Sequence, residues 1–381
     1  MHRLRGLGRG PIVIGAVAGA AVIGVVAWAL LRSPASNLPL PSPSASISAS
    51  AAPSASASVG PTTSPSTPAV ADTCPLNGLP LDDPSVLTKT AIAVQIENNP
   101  IARPQRNLSN ADFVVEAPVE GDTTRFSAVF LCRKTKGVTG PVRSSRYYEI
   151  DLWQDLHVLP VGFGASGAAL SRFAAAGMPY VNGITGSWPW FARHGSNPAP
   201  HNLFADLEAL RAEFGKGHTL DRYAARTGKL RPQFTFDTAA DIPVGHVVTA
   251  VEIKTNAYWR FGWKWSGKDR AWLRQDAGKQ LTDAVTGDPV SATAVVVQRV
   301  REEVVFGDPD PGGNTRRLQH LVGAGDGTLY LQEQAIALHW SRPTAADGTT
   351  WTYVANGQPV VLPPGVVWWE IVPVKATVTE N

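Results

Sequence analysis

The stretch AIAVQI, residues 91–96, is apolar at five of six positions, with the β-branched Ile92, Val94 and Ile96 alternating along it. A short run that is apolar on both faces predicts a strand in the middle of a sheet, because a half-exposed strand would alternate with polar residues. Working outward, DFVVEA at 112–117 and RFSAVFL at 125–131 read as two further strands. A helix is predicted over 144–154 and a short strand over 157–161. A glycine-rich turn and an alanine-rich helix over 168–176 follow. Residues 206–214 read as helical, with Leu207, Leu210 and Phe214 at helix spacing. Strands alternating with helices predict a mixed α/β domain over residues 74–232.

From residue 235 the pattern changes to short strands, predicted at 246–253, 257–265, 271–274, 292–299, 327–332, 335–340, 351–354 and 366–372. Turn signals such as Asp288-Pro289, Gly312-Gly313 and Asp347-Gly348 separate many of them. Eight of the twelve tryptophans fall here, which predicts a mainly β domain over 233–381 with tryptophans packed in its core. The fold class is therefore α+β: an N-terminal mixed α/β domain followed by a mainly β, Trp-rich C-terminal domain.

Upstream, residues 12–31 form an uninterrupted uncharged apolar run, IVIGAVAGAAVIGVVAWALL. As a helix it is about 30 Å long, the thickness of a bilayer core. Arg3, Arg5 and Arg9 precede it and only Arg32 follows closely. The positive-inside rule then makes residues 1–11 a cytoplasmic tail and 12–31 a transmembrane anchor. A cleaved signal peptide would carry a shorter apolar core and a small-x-small site, whereas this run ends in Leu30-Leu31-Arg32. Residues 32–73 are mostly Ser, Ala, Pro and Thr, without charge between Arg32 and Asp72, and predict a disordered linker. The expected location is the cell membrane, single-pass, with the ectodomain on the extracellular side.

The chain has 34 basic and 31 acidic residues. Four of the basic ones flank the apolar run, leaving 30 against 31 from Asp72 onward. A nearly neutral ectodomain argues against nucleic acid as a partner. Cys74 and Cys132 are the only cysteines, so one intramolecular disulfide is the single pairing open to them. The alternative is two separate thiols, with Cys132 a core residue. There is no CxxC or HExxH, and neither a metal nor a cofactor is expected.

Residues 162–167, GFGASG, match GxGxxG between a predicted strand and helix. A dinucleotide site also needs an acidic residue about 20 positions on. None occurs between Asp155 and Asp206, which excludes it. What survives is a backbone-amide nest around Gly164 at a helix N-terminus, suited to an anion. Ser166 lacks the second glycine of a GxSxG elbow, since residue 168 is alanine. The acid-free stretch also carries His157, Arg172, Arg193, His194 and His201, with Asn202 beside the last, and Trp188-Pro189-Trp190. Arginines and amide donors without competing carboxylates suit a phosphate, sulfate or carboxylate, and paired aromatics suit a sugar face. Alternatively the arginines pair with acids elsewhere and the tryptophans anchor a loop.

A second cluster comprises Glu116, Glu120, Asp122 and Arg125 with Arg143 and Arg146. On the predicted helix the last two would share a face, and the cluster is either a binding cleft or an internal ion-pair network.

Several ordered segments resemble the YerB-like family of bacterial envelope proteins, a family built on a domain of unknown function. They are PLNGLP at 75–80, AIAVQIENN at 91–99 with ARPQ at 102–105, LSNAD at 108–112, EAPVEG at 116–121 with TRF at 124–126, GPVRSSR at 140–146 and APHNLF at 199–204. Residues 245–372 are similar to that family's C-terminal domain through the Trp-rich strands, AVVV at 294–297 and LPPG at 362–365. The resemblance implies two domains and export, and no settled activity. Members are often lipoproteins; here no cysteine ends the apolar run, so a helix would replace the lipid. A fainter resemblance, through Thr124-Arg125-Phe126 and PVRSSR at 141–146, is to the LytR-CpsA-Psr phosphotransferases. It implies arginines and an acid holding a polyprenyl pyrophosphate, but residue 127 is Ser where their Arg-x-Asp element needs Asp.

The expectation is a membrane-anchored envelope protein whose ectodomain binds a cell-wall component, such as an anionic glycan, or an envelope protein, without catalysis. The alternative is an enzyme acting on phosphate-linked envelope glycans. Glu116, Glu120, Arg125, Arg143 and Arg146 would be its clamp and His201 its acid or base. An enzyme requires these groups to converge on one concave pocket.

Overall fold

Strand Ile92–Glu97 is buried along its whole length because it lies inside an eleven-stranded sheet. The computed structural model describes residues 72–381 apart from 187, 218, 257 and 258. The expected cytoplasmic tail, transmembrane anchor and nearly all of the linker lie outside the described residues, among which no helix is long and apolar enough to cross a membrane.

The sheet runs in the order His246–Val247, Gln334–Arg342, Gly323–Leu331, Ala294–Val300, Val367–Pro373, Phe113–Pro118, Thr124–Phe130, Ile92–Glu97, Leu159–Gly162, Val181–Asn182, with Thr350–Tyr353 beside Gln334–Arg342. The N-terminal part of the described chain is mixed α/β and the rest is mainly β. The two regions meet within this sheet, where Phe113–Pro118 pairs in parallel with Val367–Pro373. Both strands are buried at every position, so each needs a neighbour on either side.

Alternate side chains go to opposite faces. On one face Ala93, Val115 and Val129 pack with Ile150, Leu152 and Trp153 of helix Tyr148–Leu156, Phe173 of helix Gly167–Ala175, and Trp351 and Trp369. On the other, Val94, Phe126 and Ala128 pack with Leu207 and Leu210 of helix Leu207–Arg211 and Leu220 of helix Thr219–Thr227. A second, six-stranded sheet closes this face through Ile253, Phe261, Trp263 and Trp272. Its strand Ala271–Asp276 alternates strictly, burying Trp272, Arg274 and Asp276. The adjacent Trp368 and Trp369 point to opposite cores. Trp368 meets Phe126 and Trp263 at 5.3 and 5.0 Å, and Trp369 meets Trp351 at 5.7 Å. Each such pair contributes about 0.5–1.5 kcal/mol beyond its burial.

Two expected elements are corrected. The helix expected at 144–154 begins only at Tyr148. Residues 143–145 instead lie along the glycine turn: Phe163 N–H donates to the Arg143 carbonyl and Ser145 N–H to the Gly164 carbonyl, both at 2.9 Å. The strand expected at 246–253 is two, His246–Val247 in the large sheet and Ala250–Lys254 in the second. Strands Glu302–Val305 and Arg316–Gln319 form a hairpin outside both sheets. Cys74 and Cys132 are joined by a disulfide, tying the entry segment to the end of strand Thr124–Phe130.

Candidate anion-binding site

Strands Ile92–Glu97 and Leu159–Gly162 are parallel neighbours, so Glu97 and Gly162 end them on the same side of the sheet. Thr124–Phe130 runs the other way, and its Arg125 is the cross-strand partner of Glu97. The chain after Phe113–Pro118, carrying Glu120, leaves at that end as well. Crevices beyond the carboxyl ends of parallel strands are where open α/β sheets hold ligands.

Here Glu120, Arg125 and Arg146 come together. Arg146 grips Glu120 through both Nε, at 2.7 Å, and Nη2. Arg316, from the distant hairpin, adds Nη1 at 3.2 Å. Arg125 donates to the Ser144 carbonyl at 2.7 Å, and its Nε has no hydrogen-bond partner. Burial pushes the Glu120 carboxyl up, but Arg146 and Arg125 outweigh it and hold it at about 2. Burial and then Arg146 pull the Arg125 guanidinium down to about 9, with Glu120 opposing, so it stays charged at neutral pH. Arg143 sits with Glu97, Nε to Oε1 at 3.2 Å, and His201 Nδ1 lies 3.0 Å from the same oxygen. Completely buried Glu149 receives the Arg146 N–H, and burial raises its carboxyl to about 8 against that bond. Four guanidiniums (Arg125, Arg143, Arg146 and Arg316) thus face the carboxylates of Glu97, Glu120 and Asp308, with Glu149 mostly neutral at pH 7. Arg125 and Arg146 are 4 % and 5 % exposed, so the inner part is closed to solvent. Arg143 and His201, partly exposed, form its rim.

Glu116 is not part of this cluster. Strand alternation sends it to the opposite face, where Arg274 binds it at 2.6 and 3.0 Å and Trp368 Nε1 donates to it at 3.2 Å. The Gly162–Gly167 nest is largely filled by the protein. Gly164 N–H donates to Asn182 Oδ1 at 3.0 Å and Phe163 N–H is used as above. A Cβ on Gly164, at φ +86°, would meet Ile184 at 2.7 Å, so close packing and backbone conformation account for this glycine. Ser166 caps helix Gly167–Ala175, accepting from Ala169 N–H at 3.1 Å. Arg193 pairs with Asn202 at 2.7 Å beside the paired strands Phe191–Arg193 and Leu203–Asp206. Trp188 and Trp190 stack at 5.0 Å, and Trp188 Nε1 donates to the Asn182 carbonyl, which anchors their loop. Arg125, Arg143, Arg146 and the glycine turn were readable in the sequence. Glu97, Glu149, Asp308 and Arg316 were not, and only the charged hairpin sequence around Gly312-Gly313 gave a local signal for the last two.

Residues 76–219 match the family described as "Protein of unknown function (DUF3048) N-terminal domain", and residues 249–369 match its C-terminal domain. Over 316 residues, 80 % of this chain and 89 % of the relative, the chain is 28 % identical to "Putative lipoprotein YerB" of Bacillus subtilis (strain 168). It is also similar to the crystal structure of the Bacillus subtilis YerB protein, with a TM-score of 0.66 at 26 % identity, covering 81 % of this chain and 99 % of that one. With both domains present in order, the chain belongs to the DUF3048 family of YerB-like proteins.

Proposed function

We propose that this is an exported envelope protein, held at the membrane by residues 12–31, whose folded part binds an anionic cell-wall component without catalysis. The observation that carries this is the surplus of guanidinium over carboxylate at the strand ends, with Arg143 and His201 at its solvent rim. A lipoprotein-named relative and the Cys74–Cys132 disulfide support export and a membrane-held location. Against a hydrolytic or transferase clamp, Glu116 lies on the far face paired to Arg274, and Glu120 is committed to Arg146 and Arg316.

The test is Arg143→Ala, measured for both melting temperature and binding of a phosphate-bearing wall glycan. Loss of one charge-assisted contact, worth about 1.5–3 kcal/mol, predicts a tenfold to hundredfold weaker complex with little change in melting. A destabilised variant whose folded fraction binds normally would assign Arg143 to structure alone.

A further inference from the structure

The hairpin formed by Glu302–Val305 and Arg316–Gln319 leaves the sheet just after strand Ala294–Val300, which is parallel to Val367–Pro373 and through it to Phe113–Pro118. It therefore emerges at the same end as the arginine cluster, and it lies over that cluster. Its hold there is polar. Gln319 Nε2 donates to the Pro118 carbonyl at 3.1 Å, Arg316 Nη1 reaches Glu120 at 3.2 Å, and Tyr147 donates its phenol proton to Asp308. The buried residues of its two strands are Arg316 and Gln319, and no apolar side chain of these strands is buried. Segments with few buried apolar contacts open at low free-energy cost.

Asp308, in the turn of this hairpin, occupies the place of a ligand. Its carboxylate is bonded by Tyr147, whose hydroxyl also lies 3.2 Å from Ser166 Oγ, the N-cap of helix Gly167–Ala175. A phenol, a capping hydroxyl at a helix N-terminus and a guanidinium make an anion cradle. The guanidinium is that of Arg316, whose side chain is nine-tenths buried. Its Nε points at Asp308 Oδ2 from 3.5 Å and has no formed hydrogen bond. Arg125, equally buried, likewise has an unpartnered Nε. The donors thus exceed what the protein's own carboxylates satisfy, while the turn that delivers Asp308 is solvent-facing, with Phe306 88 % exposed at its start.

Resting on the anion-binding reading above, we infer that Asp308 is an internal competitor, and that a phosphate mono- or diester displaces it from the cradle of Tyr147, Ser166 and Arg316 as the turn swings outward. The site then takes a phosphoryl group, and the hairpin sets its affinity.

The full chain, wild type and Asp308→Asn, is titrated with glycerol 3-phosphate by calorimetry and sedimented with phosphatidic acid vesicles. Melting curves confirm that each variant is folded, and Asp308→Ser serves as a second replacement. Removing the competitor's charge is expected to tighten binding roughly five- to hundredfold, the range of ordinary coupling energies. Adding Arg316→Gln to Asp308→Asn is expected to abolish the gain. Tightening on the soluble ester identifies a polymer-type phosphate, and tightening on vesicles alone identifies a lipid headgroup; either supports the inference. Wild-type affinity in both Asp308 variants overturns it, while Arg143-dependent glycan binding would leave the broader reading standing. If neither probe nor the wall glycan binds any variant, both readings fall.

Discussion

Glu116 and Glu370 stand opposite each other across the parallel pair that joins the N-terminal and C-terminal regions, both completely buried, with Arg274 bound to the first. Burial, and then the charge of Glu116, push the Glu370 carboxyl well above its usual range, while Arg274 holds Glu116 in an ion pair. Arg274 comes from the second sheet and lies 4.5 Å from the Phe261 ring, so this one group fastens three parts of the fold.

Arg274→Met leaves the Glu116 carboxylate buried without its cation. Breaking a buried pair from one side costs about 3–5 kcal/mol. Urea denaturation should show this loss, and adding Glu116→Gln should restore much of it. An unchanged midpoint for the single variant would mean that the pair carries no structural weight.

Glu149 gives stability a pH dependence. Its folded carboxyl, raised to about 8, binds a proton more tightly than in the unfolded chain. Its stabilising effect is therefore full below the unfolded carboxylate range, near 4.3, and is lost as pH rises through about 8. Melting temperature should fall between pH 5 and pH 9 in the wild type, and Glu149→Gln should flatten that slope. Glu120 has the opposite sign: its stabilisation is present above the unfolded range and disappears as pH falls toward about 2. Equal slopes for the wild type and Glu149→Gln would remove Glu149 from this role.

The disulfide closes a loop across a sequence separation of 58 residues. On the chain-entropy account this constrains the unfolded chain by about 4 kcal/mol. Reduction should lower the urea midpoint accordingly, and mass spectrometry of unreduced protein should find both thiols blocked. Two free thiols would contradict the bond.

The central strands were legible because residues 92–97, 113–118 and 124–130 are short, rich in β-branched and aromatic residues, and apolar at most positions. Six of the eight later tryptophans were likewise readable as core, while Trp259 and Trp265 are only partly buried. The parallel contact between Phe113–Pro118 and Val367–Pro373 was not, since pairing over more than 240 residues leaves no local signature. At the site, the grouping of Arg125 with Arg143 and Arg146 was visible, but for a wrong local reason. Residues 143–146 are not helical, and 143–145 lie along the glycine turn. Glu116 was misplaced because the cluster was read by proximity in sequence, whereas strand alternation sends it to the other face from Arg125.

The location proposed from residues 12–31 has its own check. Protease added to intact protoplasts should digest the region after residue 72 and spare a small membrane-bound fragment. A full-length chain recovered free in the cytosol would contradict it.

The most direct measurement is calorimetric titration of the full chain with a phosphate-bearing wall glycan and with the same glycan after enzymatic removal of its phosphate, while product release is followed. Saturable binding of the first, loss of binding with the second, and no turnover of either are expected. Equal binding of both, or steady release of phosphate or cleaved glycan, would contradict a non-catalytic module that recognises an anion.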